Sequence, residues 1–358
     1  LPRGPMPNRF QHGFGVCRLM MLVLENNRAF SQYEKILYPV AALLHDAGNP
    51  ALSHLGENFL RKMFGKDGET FLEEILKDSE TEKILKEIGL NIPRILALIT
   101  GKLNPFSDIL NGSMDVDNLD NISRYAVAEK IQTNFDATLL AESFKFDGTE
   151  WTLPAFLFNK AMAWKKARAK VYKNLYCDPV FIPETTICHC NPSFTANTMV
   201  YRAVELAYEQ GKISKEFFLI DDELAIEYLR TKCGPASGKL IEKVTRWEWY
   251  ETAFSRISIK PSEKLKLSAN LEGRKKLIDK ICDKLSIREE DVCVAISKGR
   301  DVRRITLPFI FPDGRRMYDE EEEKTVYRVM VYISPDIANK KRCETIDKLV
   351  REELDCKI

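Results

Sequence analysis

The chain lacks the features that mark a membrane, secreted or nucleic-acid-coating protein. No apolar run approaches the roughly 20 residues of a membrane span, and the opening, LPRGPMPNRF, has neither the basic nor the apolar segment of a secretory signal. That opening also has no start methionine and reads as a loop from inside a longer protein, so an upstream segment is expected. Charge of one sign is missing too. With 54 basic and 53 acidic residues and a net charge of +1, there is no global footprint for a polyanion or a membrane, and any phosphate site must be a local patch. Paired cysteine spacing is likewise absent: the nine cysteines are odd in number, scattered and mostly inside apolar helical patterns. That usage is expected of free thiols in the cytoplasm. Even Cys177 with Cys188-His189-Cys190 lacks the paired two-residue spacing of a zinc site and reads as a loop with free thiols. Histidine is scarce, with four in all, and three of them fall within the first 54 residues.

What is present centres on Val40 to Met63, VAALLHDAGNPALSHLGENFLRKM. An apolar run suited to burial ends in His45-Asp46, two adjacent metal-ligand side chains that a purely structural core helix would not choose. Burying them needs a partner, and a metal ion supplies one. Gly48-Asn49-Pro50 breaks the helix, and a second helix over Leu52 to Met63 would return His54 and Glu57, three residues apart, on one face. His12 is expected at the start of an earlier helix with Val16, Leu19, Met20, Leu22 and Val23 at helical spacing. Pro39 is expected in the first turn of the next helix, which should run to Asn49-Pro50. Neutral imidazoles with carboxylates suit one divalent transition metal (Mn, Fe, Co, Ni or Zn) with positions left for water and a phosphate oxygen.

Further along, GSMDVDNLDNISRYAVAEKI is helical by pattern with Asp115 and Asp117 at its beginning. A hairpin is expected around Asp147-Gly148, then a long helix from Pro154 to Cys177 on which Arg168, Tyr172 and Tyr176, spaced four apart, line one stripe. The chain is nearly all helical to this point and beyond. From about Glu248 the period changes to that of strands, at FSRISI, VCVAIS, ITLPFIF and VYRVMVYIS. The acidic run Asp319 to Glu323 is expected to be a solvated loop.

RFQH at 9 to 12, HDAGNPALSHLGE at 45 to 57 and DVDNLD at 115 to 120 resemble the HD-superfamily deoxynucleoside triphosphate triphosphohydrolases, a group that includes the bacterial dGTPases and the animal enzyme with SAM and HD domains. The second motif is similar to the dGTPase form HD-x-G-N-P-x-x-x-H-x-G-E, and the third looks more like the animal and Gram-positive form D-x-D-x-x-D. RAKVYKNLYCDP resembles the family's substrate helix, and REEDVCVAIS with VYRVMVYISP its C-terminal lobe, so the resemblance spans nearly the whole chain. It implies a mostly α fold, an HD-domain helical bundle over 1–245 with a smaller C-terminal α+β lobe over 246–358. It also implies His12, His45, Asp46 and Asp117 as metal ligands, Asp117 being chosen over Asp115 and Asp120 because the family's ligand is the second aspartate of the motif. His54 and Glu57 would be the catalytic pair. Arg9 and Arg168 would contact phosphates, guanidinium being the better bidentate partner; Tyr176 would pack on the sugar, and Tyr172 takes the place of a family histidine. Lys66 stands where many members have a histidine and could still hold phosphate, while Asn118, Asn121 and Tyr125 replace the animal enzyme's lysine, tyrosine and aspartate, which leaves Asn121 as a substrate-side residue.

The activity implied is hydrolysis of a dNTP (dGTP or several) to deoxynucleoside and inorganic triphosphate, with Mg²⁺ able to accompany the triphosphate. The partners implied are the dNTP, an allosteric nucleotide, single-stranded DNA as in some dGTPases, and further copies of the chain in a homo-oligomer; no membrane is implied. Two other readings compete: another HD phosphohydrolase, a nucleotidase or phosphodiesterase, and a degenerate HD scaffold that binds nucleotide or nucleic acid as a regulator.

Overall fold

The computed structural model describes residues 8–176, 192–300 and 303–355. The fold is mostly α with a smaller α+β region. In order come α1 (Arg9–Glu25), α2 (Glu34–Leu44), α3 (His54–Phe64), α4 (Gly68–Leu76), α5 (Glu80–Glu87), α6 (Ile92–Ile99), α7 (Asp108–Asn111), α8 (Val116–Ala128) and α9 (Ala137–Ser143). The short strands β1 (Lys145–Phe146) and β2 (Trp151–Pro154) then lead to α10 (Phe158–Tyr176), α11 (Pro192–Glu209), α12 (Asp222–Thr231) and α13 (Pro235–Thr245). The remainder is β3 (Glu251–Ser258), α14 (Glu263–Ser268), α15 (Leu271–Leu285), β4 (Val292–Arg300), β5 (Phe309–Ile310), β6 (Arg316–Met317), β7 (Thr325–Ile333) and α16 (Lys340–Leu354). No helix among the described residues is long and apolar enough to cross a membrane.

The chain forms two units, Pro2–Val171 with Arg303–Glu322, and Tyr172–Val302 with Glu323–Ile358. In the first, α1 buries Val16, Leu19, Met20 and Val23, and packs against α2, α8 and α9. Its small sheet runs β1-β2-β5-β6, with β5 parallel to β2. The stretch ITLPFIF therefore contributes only Phe309–Ile310 as strand, which lies between β2 and β6, parallel to the first and antiparallel to the second. In the second unit β7 lies between β3 and β4, antiparallel to both, because its near-continuous apolar run TVYRVMVYI can be buried only as a central strand. Leu277, Ile278 and Ile281 of α15 and Ile346, Val350 and Leu354 of α16 complete that core.

Several local expectations are corrected. Helix α1 begins at Arg9, where the Asn8 side chain accepts the Gln11 amide at 2.8 Å, so His12 lies inside the helix and not at its start. Pro39 is inside α2, whose start is set earlier by the Glu34 carboxylate accepting from Ser31 N and Oγ; the helix ends at Leu44, short of Asn49-Pro50. Pro154 closes β2 instead of opening α10. The expected solvation of the 319–323 run fails at Asp319, which is 4% exposed and accepts from Lys165 Nζ at 2.5 Å and Ile305 N at 2.9 Å. Burial opposes ionisation of Asp319, but these donors and the lysine charge outweigh it and hold its pKa below the usual value.

Removing one side of that pair leaves the other charge buried. Lys165→Met should cost about 3–5 kcal/mol of stability at neutral pH. Since Asp319 has a depressed pKa, the stability it contributes is present above the ordinary carboxylate value and is lost as pH falls through the folded value. Chemical denaturation at a series of pH values checks both points: wild-type stability should decline through that acid window and the variant's should decline less.

Candidate metal and catalytic site

The site is built within the first unit from α1, the end of α2, the start of α3 and the first turn of α8. At the end of α2, His45 is half-buried and its Nδ1 lies 2.8 Å from the Ala42 carbonyl oxygen. A carbonyl can only accept, so Nδ1 carries the proton and a neutral ring leaves its lone pair on Nε2. The same logic fixes His12, which is 8% exposed: the Asp120 carboxylate takes its Nδ1 hydrogen at 2.8 Å. The two rings meet edge to face with centroids 5.2 Å apart.

Both Nε2 atoms face the same carboxylates. Asp117 Oδ1 is 3.0 Å from His12 Nε2 and 3.6 Å from His45 Nε2, while the Asp46 oxygens are 3.7 and 3.5 Å from them. His45 Nε2 is buried and makes no hydrogen bond. Lone pairs directed at anions repel unless a cation lies among them. A proton meets the need in part: burial would lower the pKa of His12, but hydrogen bonds to Asp117 and Asp120 raise it to about 10. Burial opposes ionisation of Asp117 as well, and the two imidazoles override it and hold its carboxyl far below the usual range. A divalent metal meets the same need, and His12, His45 and Asp46 each offer a ligand atom within 4.8 Å of the others. The donor set therefore fits a metal of the kind that takes imidazole and carboxylate.

The turn after His45 is pinned from both sides. Arg9 Nη1 and Nη2 donate to the carbonyls of Asn49 (3.0 Å) and Pro50 (3.2 Å), and Asn49 Nδ2 donates to Asp46 Oδ1 at 2.9 Å. Gly48 is required by close approach: a Cβ there would lie 2.0 Å from the Gly68 carbonyl oxygen. Leu52 and Ser53 then adopt positive φ (63° and 52°), a costly conformation for residues other than glycine and one that recurs at functional sites. That sharp turn opens α3 at His54, which is exposed, with Nδ1 3.2 Å from Glu57 Oε2. Glu57 Oε1 in turn accepts the Gly68 amide at 3.1 Å. The shared hydrogen bond raises the pKa of His54 and lowers that of Glu57.

The remaining candidates are placed as follows. Asp115 is buried as the cap of α8, accepting from Asn118 N (2.7 Å) and Nδ2 (2.9 Å). Lys66 forms an ion pair with Glu74 at 2.5 Å. Asn121 is half-buried on α8, one turn beyond Asp117, and Arg168 is half-buried on α10. Tyr172 is half-buried and belongs to the second unit. The side chain of Tyr176 lies outside the described residues, as do Cys177, Cys188, His189 and Cys190; among those described, Cys17, Cys233, Cys282, Cys293 and Cys343 are free thiols. A cavity of about 630 Å³ lies against α4, α5 and α6, and none of the clustered histidines or aspartates lines it.

Asp120 was missed in its role. It grips His12 from the ring nitrogen opposite Asp117 and is itself held by Arg124 Nε at 2.5 Å. The signal available was its spacing: Asp117 and Asp120 are three apart and share a helix face, so both could reach one histidine.

No protein-family model and no curated protein sequence matches the chain. Among solved structures, a phosphohydrolase from Bacteroides thetaiotaomicron superposes with a TM-score of 0.62, at 16% sequence identity, over 90% of this chain and 87% of its own. A hypothetical protein from Aquifex aeolicus gives a TM-score of 0.66 at 18% identity over 96% of this chain and 86% of its own. At these identities the similarity is one of fold.

Proposed function

We propose that this chain is a metal-dependent phosphohydrolase that cleaves a deoxynucleoside triphosphate at the α-phosphate, releasing deoxynucleoside and inorganic triphosphate. The observation that carries the reading is the pair of oriented imidazole Nε2 atoms facing Asp46 and Asp117, with an exposed, carboxylate-held histidine on the adjoining helix. The fold shared with a protein named phosphohydrolase supports the hydrolase class, and the HDAGNPALSHLGE and DVDNLD motifs support the triphosphate substrate. A divalent metal held by His12, His45, Asp46 and Asp117 would supply Lewis acidity toward a phosphate oxygen and water. The chain's own groups do the rest. His54 holds or moves a proton beside the scissile phosphate, Glu57 fixes the imidazole, and the Gly68 amide fixes Glu57. The Arg9 guanidinium shapes the turn that brings His54 forward.

Incubation with Mn²⁺ and each dNTP tests this. Tripolyphosphate should appear with the deoxynucleoside; orthophosphate or pyrophosphate instead would replace this reading with that of another phosphohydrolase. A specific observation favours keeping that second reading. Lys66 is held by Glu74 and Arg9 by two carbonyls, so two cations expected on the phosphates are engaged elsewhere. An allosteric nucleotide, single-stranded DNA and a homo-oligomeric state belong to the same proposal.

Gly15 offers a check on the His12 support. A Cβ there would lie 1.9 Å from Asp120 Oδ1 and 2.4 Å from Arg124 Nη2, so Gly15→Ala must push Asp120 off the ring. Metal affinity should fall about 10–100-fold, the usual effect of losing a group that orients a ligating histidine. Mn²⁺ titration calorimetry reads it directly.

A further inference from the structure

The first turn of α8 is held in place by a segment that arrives from the far end of the chain. Arg303 Nη2 donates to the Gly112 carbonyl at 2.6 Å and Nε to the Ser113 carbonyl at 3.0 Å, across 190 residues of sequence. Thr306 adds two bonds to the same place, its amide to Ser113 Oγ at 2.7 Å and its Oγ1 to Ser113 Oγ at 2.9 Å. Gly112 and Ser113 precede the Asp115 cap, and their carbonyls have no place in the helical ladder that follows. Their partners come from Arg303 instead. The segment bearing Arg303 is itself fixed: Arg304 Nε donates to the Asp319 carbonyl at 2.9 Å, and the Asp319 carboxylate takes the Ile305 amide and Lys165. A rigid fork thus grips the two residues that lead into α8, whose first turn carries Asp117.

We propose that Arg303 is a positioning residue for Asp117, setting the carboxylate between the His12 and His45 imidazoles by fixing the Gly112–Ser113 lead into α8. The inference rests on the metal-site reading above. Asp117 must stay about 3 Å from one ring and near the other, and a shift of about 1 Å at a helix start is enough to spoil a site of this kind. Neither sequence motif nor chain proximity points to Arg303. Only the fold brings it there.

The test compares wild type with Arg303→Ala, Arg303→Lys and Ser113→Ala, reading Mn²⁺ affinity by calorimetry, melting temperature by circular dichroism, and kcat and KM on the nucleotide that wild type hydrolyses. Arg303→Ala should weaken Mn²⁺ binding about tenfold, the low end of what supporting groups contribute, and lower kcat with KM changed less than twofold. Arg303→Lys, which can keep one of the two bonds, should recover part of the metal affinity. A purely structural role would lower the melting temperature and leave Mn²⁺ affinity and kcat of the folded protein as in wild type; that result overturns the proposal. Should Arg303→Ala fail to fold, Arg303→Lys, which loses at least one of the two carbonyl bonds, must show a loss of metal affinity, and wild-type affinity there also overturns the proposal. Ser113→Ala, which removes only the bonds from Thr306 and leaves both carbonyls gripped, should bind Mn²⁺ more tightly than either Arg303 variant. A wild type that binds Mn²⁺ but hydrolyses no phosphate ester sinks the phosphohydrolase reading alone, and the calorimetric arm still decides the role of Arg303. A wild type that binds no divalent metal removes both.

Discussion

Asp117→Ala should yield a folded protein without stoichiometric divalent metal and with nucleotide hydrolysis lowered by about three orders of magnitude or more. The expectation follows from position. Asp117 Oδ1 lies within 3.6 Å of both Nε2 atoms, whereas Asp120, also on α8, meets His12 at Nδ1. Its neighbours in the motif set the contrast. Asp115 spends its carboxylate on the Asn118 amide and side chain, so Asp115→Asn, which keeps an acceptor at the cap, should retain metal and most activity. Asp120→Asn leaves the ligand oxygens in place but loses the carboxylate that holds His12, and should fall between the two, with metal affinity down about 10–100-fold. Metal content after dialysis, measured by plasma spectrometry and by Mn²⁺ calorimetry, orders the three variants. Asp117→Ala with a full complement of metal would dismantle the site as drawn.

The parts of this molecule that were legible in sequence are those whose physics is local. His45-Asp46 at the end of an apolar run and the three-residue spacing of His54 and Glu57 are short-range patterns; the structure gathers His45 and Asp46 with His12 and hydrogen-bonds His54 to Glu57. The mostly α character and the β-branched strands β4 and β7 were equally plain, because helical and strand periods survive in any window of a dozen residues. Illegible parts depend on contacts across long separations. Pro39 falls inside α2 because Glu34 and Ser31 set the helix start upstream, something a first-turn rule for proline does not anticipate. Asp319 looks solvated in an acidic run and is buried because Lys165, 154 residues away, meets it. The Asp120 grip on His12 and the Arg303 grip on Gly112–Ser113 span 108 and 191 residues, and neither follows from any local pattern. The choice of the second aspartate of DVDNLD came from resemblance; in the structure Asp115, as the cap, turns its carboxylate back onto the helix, whereas Asp117, inside the first turn, faces the imidazoles.

His54→Ala should lower kcat about 100- to 10,000-fold, the range for a positioned proton-transfer group, while metal content and melting temperature stay near wild type. The separation is physical. His54 is exposed, on α3, and pairs with Glu57, so its loss uncovers no fully buried charge and removes no ligand. Glu57→Gln refines the test through pH. The Glu57 carboxylate raises the pKa of His54, so the variant should titrate at lower pH, nearer the ordinary histidine value of about 6.5. If His54 accepts a proton in the reaction, the acid limb of the kcat profile moves down; if it donates one, the alkaline limb moves down. Either way the displacement is toward lower pH, and which limb moves identifies the direction of transfer. A profile that does not move, in an enzyme slowed by the substitution, would mean that Glu57 acts only by orienting the ring, and full activity in His54→Ala would remove His54 from the chemistry while leaving the metal site standing.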